Sequence, residues 1–176
     1  MKRLVLSLAL VCAATLTGCS KLVSLNSFVN DEHAVMDTSL LGMWADEDGK
    51  DTYLVRQDGT GYRIRYLRES SEPYEFKARL MVTDDVKILD LCSAKDDDFQ
   101  LAIHVPVRLW TEGDTLRIAV LESDWIVEQA GKQLAIAPAD KRTLITAPGE
   151  AVRMFLTKVG ADPKAYNEQG ILRRLK

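Results

Sequence analysis

The chain holds only two histidines, His33 and His104, among 176 residues. They lie far apart and at no ligand-like spacing to each other or to Cys92, so the usual imidazole metal site is not encoded. No Gly-x-Ser-x-Gly word and no glycine-rich phosphate loop occurs, which removes the nucleophile elbow and the nucleotide cradle. Lysine and arginine together number 23 against 26 acidic residues; this balance excludes a broad attraction to nucleic acid. Cysteine is equally scarce, at three. Internal repeats, low-complexity tracts and a second composition block are missing too, which points to one domain rather than an array.

What is present begins with "LVLSLALVCAATLTGCSK" at positions 4 to 21. Lys2 and Arg3 supply a positive start, Leu4 to Thr15 an uncharged apolar segment, and Leu16 to Cys19 an ending dominated by small residues, the layout of a secretory signal. About 20 apolar residues are needed to cross a bilayer core, and Lys21 cuts this run short. Leu16-Thr17-Gly18-Cys19 resembles the lipobox of bacterial lipoproteins. That resemblance implies cleavage between Gly18 and Cys19 and a diacylglycerol on the Cys19 thiol. Two or more acyl chains anchor stably where one does not. By the same family's sorting habit, Ser20 after the cysteine implies the periplasmic face of the outer membrane rather than the inner membrane.

Removing residues 1–18 takes Cys12 with the signal and leaves Cys19 lipidated, so Cys92 has no internal disulfide partner. In "DVKILDLCSA" it reads as a small buried apolar residue ending a strand. Residues 19–36 read as a lipidated N-terminus and tether, too apolar at Leu22, Val23, Leu25, Phe28 and Val29 to be freely solvated. Residues 37–176 then form a single β-rich domain.

From Trp44 onward the dominant period is two. Tyr62, Ile64 and Tyr66 alternate with Arg63, Arg65 and Leu67, and Phe76, Ala78, Leu80 and Val82 alternate with Glu75, Lys77, Arg79 and Met81, each set placing its apolar members on one sheet face. Asp48-Gly49, Asp58-Gly59 and Gly113-Asp114 are turn dipeptides. Further strands are expected at 86–92, 100–110 and 114–121. Pro106 cannot donate to a ladder, so the middle one lies at an edge, is bulged, or breaks there. Ser123 predicts the cap of a short helix stopping at Gly131, "QLAIA" and "RTLITA" two short strands, and "APGEAVRMFLTKVG" the longest helix, with Val152, Phe155, Leu156 and Val159 on its packing face. Asp162-Pro163 starts a last helical segment, and "GILRRLK" either closes as a strand or hangs free. The fold class is mainly β with minor α: a meandering antiparallel sheet forming a small barrel or half-barrel, with a late C-terminal helix.

Gly42-Met43-Trp44 resembles the Gly-x-Trp opening of lipocalins and related calycin barrels. The resemblance implies that the glycine lets the chain turn into the first strand and that Trp44 plugs the closed end. It also implies an arginine packed over that tryptophan, for which Arg173 and Arg174 are the candidates. Other stretches are similar to bacterial lipoproteins of unassigned role.

Asp46-Glu47-Asp48 with Asp51 lacks the alternation and the sixth-position glycine of an EF-hand loop, and reads as a solvated hairpin, as does Asp96-Asp97-Asp98 as a loop tip. No metal, cofactor or catalytic residue is expected. The inward residues Trp44, Tyr62, Tyr66 and Phe76 are the candidate ligand-binding set if the barrel is hollow, although so few aromatics favour a filled interior. The expected protein is a non-catalytic lipoprotein held to the membrane by its lipid, binding another cell-envelope component; the alternative is a lipocalin-like carrier of a small apolar ligand.

Overall fold

The computed structural model describes residues 22–68, 71–94, 101–139, 142–166 and 170–176. The expected signal, Gly18, Cys19 and Asp96 to Asp98 lie outside the described residues. In chain order the elements are β1 (Leu22–Ser24), a 3-10 turn (Thr38–Leu40), β2 (Gly42–Ala45), β3 (Asp51–Asp58), β4 (Gly61–Arg68), β5 (Tyr74–Thr83), β6 (Val86–Ser93), β7 (His104–Glu112) and β8 (Thr115–Val120). They continue with α1 (Asp124–Gln133), β9 (Ile136–Ala139), β10 (Arg142–Ile145), α2 (Gly149–Val159), a second 3-10 turn (Pro163–Ala165) and β11 (Gly170–Arg174).

Strands β2 to β8 pair antiparallel, each with the next, and β11 inserts between β8 and β2 to close a barrel of eight antiparallel strands. Closure leaves no exposed ladder around the ring, and alternation sends every second side chain inward. One end, the base, carries the hairpins β3–β4, β5–β6 and β7–β8 and the turn Thr38–Leu40. The opposite end, the mouth, carries the β2–β3 loop, the link from β6 to β7 and the start of β11.

Two of the base hairpins use the glycines legible in the sequence, Gly59 and Gly113, both at positive φ. The third was not legible: Asp84 and Asp85 adopt φ of 46° and 66°. Aspartate tolerates the left-handed region through its short polar side chain, so two acids do there what Asn-Gly does elsewhere.

Pro106 resolves into a fork. It stays in register opposite Asp90 of β6, and on its other side its carbonyl accepts from the Leu121 amide at 3.1 Å, just past the last residue of β8. Its missing N–H therefore falls where the β8 ladder has already ended. Above that point β7 takes a new neighbour, β1, through Ser24 opposite His104. Strand β1 in turn pairs parallel with β10, and β10 antiparallel with β9. The expected strand 100–110 accordingly begins later, at His104, and runs to Glu112.

The two helices pack outside the barrel. Val152, Phe155, Leu156 and Val159 of α2 join Ile126 and Ala130 of α1 against Met81, Val86 and Ile88, the outward residues of β5 and β6. Ser123 caps α1 by accepting from the Ile126 amide at 3.1 Å. That helix passes through Gly131 and stops after Gln133, because the Leu134 amide still reaches the Ala130 carbonyl at 2.8 Å. A separate buried cluster, with Leu40, Trp44, Tyr62, Leu80, Leu109 and Leu172, fills the lower barrel.

Residues 22–40 form a strap along the outer wall from mouth to base. Leu22, Val23, Phe28 and Val29 are buried to within 2%. At the crossing of β6 the Asp90 carboxylate accepts from the Ser27 hydroxyl at 2.7 Å, the Phe28 amide at 2.9 Å and the Val29 amide at 3.3 Å, while its other oxygen meets His104 Nδ1 at 2.6 Å. Burial of a carboxylate is tolerable here because its lone pairs are used. A side chain at Gly149 would sit 1.9 Å from the Ser27 carbonyl, so glycine at the start of α2 is what lets the strap pass. Farther down, the Val35 amide donates to the Leu80 carbonyl at 2.8 Å.

Candidate functional site: the barrel cavity

At the base, Gly42 and Trp44 of the Gly-x-Trp word come together with Arg174 of β11. Trp44 is 1% exposed and its indole N–H donates to the Leu40 carbonyl at 2.9 Å. The Arg174 guanidinium lies over the indole with its central carbon 4.2 Å from the ring centroid, a cation–π contact. It also donates to the Leu41 carbonyl at 2.7 Å and to the Ser39 carbonyl, tying the 3-10 turn to the last strand. Of the two candidate arginines the structure selects Arg174. Gly42 has φ of +123°, and a Cβ there would stand 2.8 Å from Arg174 Nη1. Plug, cover and glycine thus depend on one another, as the likeness to lipocalins implies.

Above this plug the barrel is hollow, not filled. A cavity of about 310 Å³ opens toward the mouth, at the low end of the roughly 300 to 1,000 Å³ typical of small-molecule sites. A paucity of aromatics does not fill a barrel when the interior residues are mid-sized aliphatics such as Val55, Leu91, Val105 and Ile118.

All four expected residues, Trp44, Tyr62, Tyr66 and Phe76, line the cavity. Their polar atoms, however, are turned to the protein. The Tyr62 hydroxyl accepts from the Asp37 amide at 2.7 Å and donates to the Asp37 carbonyl at 3.2 Å. Burial pushes its pKa further up, so the phenol stays neutral at ordinary pH. The Tyr66 hydroxyl donates to the Asp51 carboxylate at 2.8 Å; Asp51 is 4% exposed and also meets Arg68 Nε at 3.5 Å. With the Trp44 N–H on Leu40, these rings offer a ligand only carbon surface. Tyr53 stacks on Tyr66 at 5.1 Å and extends that surface.

Sequence reasoning missed the contributors near the mouth: Val23 of β1, Leu101, Ile103 and Arg142 of β10. For Leu101 and Ile103 the signal was present, since the odd positions from Leu101 to Leu109 are all apolar and share one strand face. Val23 and Arg142 were not legible, because they reach the cavity only through the fork at Pro106.

Asp37 anchors the strap at the base. Its carboxylate caps the 3-10 turn through the Ser39 amide at 2.9 Å and pairs with Lys87 Nζ at 2.7 Å, which also donates to Thr111 at 2.9 Å. Partial burial pushes this carboxyl up, but the Lys87 and Ser39 bonds together outweigh it and hold the pKa below the ordinary aspartate value.

The set Ser27, Asp90 and His104 contains the residue types of a hydrolase triad in another arrangement. Ser27 donates to Asp90, and His104 meets the other oxygen of the same carboxylate. A triad requires the hydroxyl on the imidazole; here the carboxylate stands between them and the group fastens the strap. Cys92 is half-exposed rather than buried, on the outward face of β6.

Comparison with known proteins gives no match: no family model, no curated protein and no solved structure aligns with this chain.

Proposed function

We propose that this chain is a lipid-anchored, non-catalytic binding protein on the periplasmic face of the bacterial outer membrane, whose barrel carries a small apolar ligand. The envelope component it binds is then that ligand. The observation that carries this reading is the hollow interior, about 310 Å³, in which the polar atoms of Trp44, Tyr62 and Tyr66 are already bonded to the protein. Such a lining favours ligands by carbon surface removed from water, at roughly 25 cal/mol per Å². The anchor rests on the Leu16 to Cys19 lipobox behind a signal of the right charge and length.

The test is titration with an environment-sensitive naphthylamine dye and its displacement by apolar competitors. Wild-type protein should bind the dye in the micromolar range or tighter. Leu91→Trp, which puts an indole into the cavity, should weaken binding at least tenfold with unfolding unchanged within about 1.5 kcal/mol. Absence of dye binding by wild type, or equal binding by the filled variant, would falsify the carrier reading.

A further inference from the structure

On the outer wall of the barrel, toward its base, one guanidinium is buried with no counterion among the described residues. Val107, Leu109, Leu116 and Ile118 line the cavity, so strand alternation turns Arg108, Trp110 and Arg117 outward. Trp110 and Arg117 face each other across the β7–β8 ladder, and Arg108 sits two residues along, opposite Ala119.

Arg108 is only 8% exposed. Its Nη1 has no hydrogen-bond partner among the described residues, and no carboxylate among them is ion-paired to it. Arg117 repeats the pattern in part. Glu112 accepts from Arg117 Nη2, yet Arg117 Nε is buried and has no hydrogen-bond partner among the described residues.

The Trp110 ring joins the two arginines. The guanidinium carbons of Arg108 and Arg117 lie 5.1 and 5.6 Å from its centroid, and Tyr166, just after the second 3-10 turn, meets the same indole edge-on at 5.3 Å. An indole face attracts a cation but accepts nothing along the N–H directions of a guanidinium. Burial pushes the Arg108 pKa down from its ordinary value, with Tyr166 acting the other way, and an arginine so placed still keeps its proton. The charge therefore stays, and with it the need for acceptors and for a charge of opposite sign. Glu112 answers one positive charge on the exposed side of Arg117; that of Arg108 is left. Trp110, Arg117 and Tyr166 are only partly buried, which gives an anion a way in from solvent.

We propose that Arg108 and Arg117, set on the Trp110 ring beside Tyr166, form a binding site for a phosphate-type oxyanion on the outer wall of the barrel, separate from the cavity. A tetrahedral phosphoryl group has enough acceptor sites for the Arg108 fork and for Arg117 Nε together. A planar carboxylate, with two oxygens, matches one fork at a time.

The test is thermal melting of the full-length protein in detergent, in sodium phosphate against sodium chloride at equal pH and ionic strength. About 10 mM phosphate should raise the wild-type Tm by about 3 °C or more, as a ligand present well above its Kd does. Arg108→Met, which keeps an apolar stem and removes the charge, should abolish the rise. Arg117→Gln, at the more exposed position, should at least halve it, and carries the test alone if Arg108→Met does not fold. Arg65→Met, on β4 across the ring, should leave the rise intact. No rise in wild type, or a full rise in either Arg108→Met or Arg117→Gln, overturns the site. Glycerol phosphate in place of phosphate decides the source: a comparable rise assigns the site to a phosphoester such as a lipid headgroup, and a rise with inorganic phosphate alone assigns it to the free ion. Dye binding in the cavity has no part in this readout, so failure here leaves the carrier reading standing.

Discussion

Arg174 does three things with one planar group: it covers the Trp44 ring and donates to two carbonyls of the 3-10 turn. Arg174→Ala should destabilise the domain by about 2 to 4 kcal/mol, the sum of a cation–π contact and charged hydrogen bonds whose acceptors lose their partner. Its neighbour Arg173 points the other way and, among the described residues, pairs with exposed Glu47 at 3.8 Å. Arg173→Ala should cost under about 0.5 kcal/mol, and urea unfolding of the pair checks both. Asp37 gives a pH signature. A carboxyl with its folded pKa held down contributes stability that is present above the unfolded value, about 3.9, and is lost as pH falls through the folded one. Asp37→Asn should therefore lower stability at pH 7, and the gap to wild type should close toward pH 3; a gap of constant size in pH-dependent melts would refute the assignment. The choice between Arg173 and Arg174 shows where sequence reasoning reached its limit. Leu172 belongs inside, and strand alternation then turns Arg174 inward beside it, but only once the register of β11 against both β2 and β8 is known.

The helix α2 illustrates the element scale. Its apolar stripe was legible from spacing alone, since 3.6-residue periodicity and a core face are the same fact seen twice. What it packs against was not legible. Met81 and Ile88 sit on the outward face of a two-residue alternation, where a charged neighbour was expected, and only the presence of a helix outside the wall explains their burial. Phe155→Ala, at 2% exposure, should cost about 3 to 5 kcal/mol by opening a void in that cluster. Because the cluster lies outside the barrel, dye affinity of the folded variant should stay within about twofold. Calorimetry together with dye titration separates the two effects. Strand β1 is the contrasting case: three residues that propensity could not distinguish from a tether become ordered by the vacancy that β8 leaves beside β7.

At the scale of the whole molecule, an antiparallel meander was readable from alternation and some of its turn dipeptides, whereas closure was not, because it depends on the last residues pairing with the first barrel strand. The hollow interior was equally unreadable: it is the residual volume after side chains of known size occupy a ring of known radius, and no local pattern reports a residual. The anchor belongs to this scale as well. Cys19→Ala should move the protein from the membrane fraction to the soluble periplasm; equal fractionation of variant and wild type, with no acyl mass on the latter, would sink it.

The strap has a mechanical consequence. For a chain held at Cys19, any pull between bilayer and domain enters through β1, whose parallel ladder with β10 runs from Leu22 to Ser24, and passes next to the Asp90 clamp on residues 27 to 29. The load is met by several bonds side by side, as shear, and is spent in the upper wall before it reaches the Trp44 plug. A tug on the anchor therefore strains the rim of the barrel while its base stays closed.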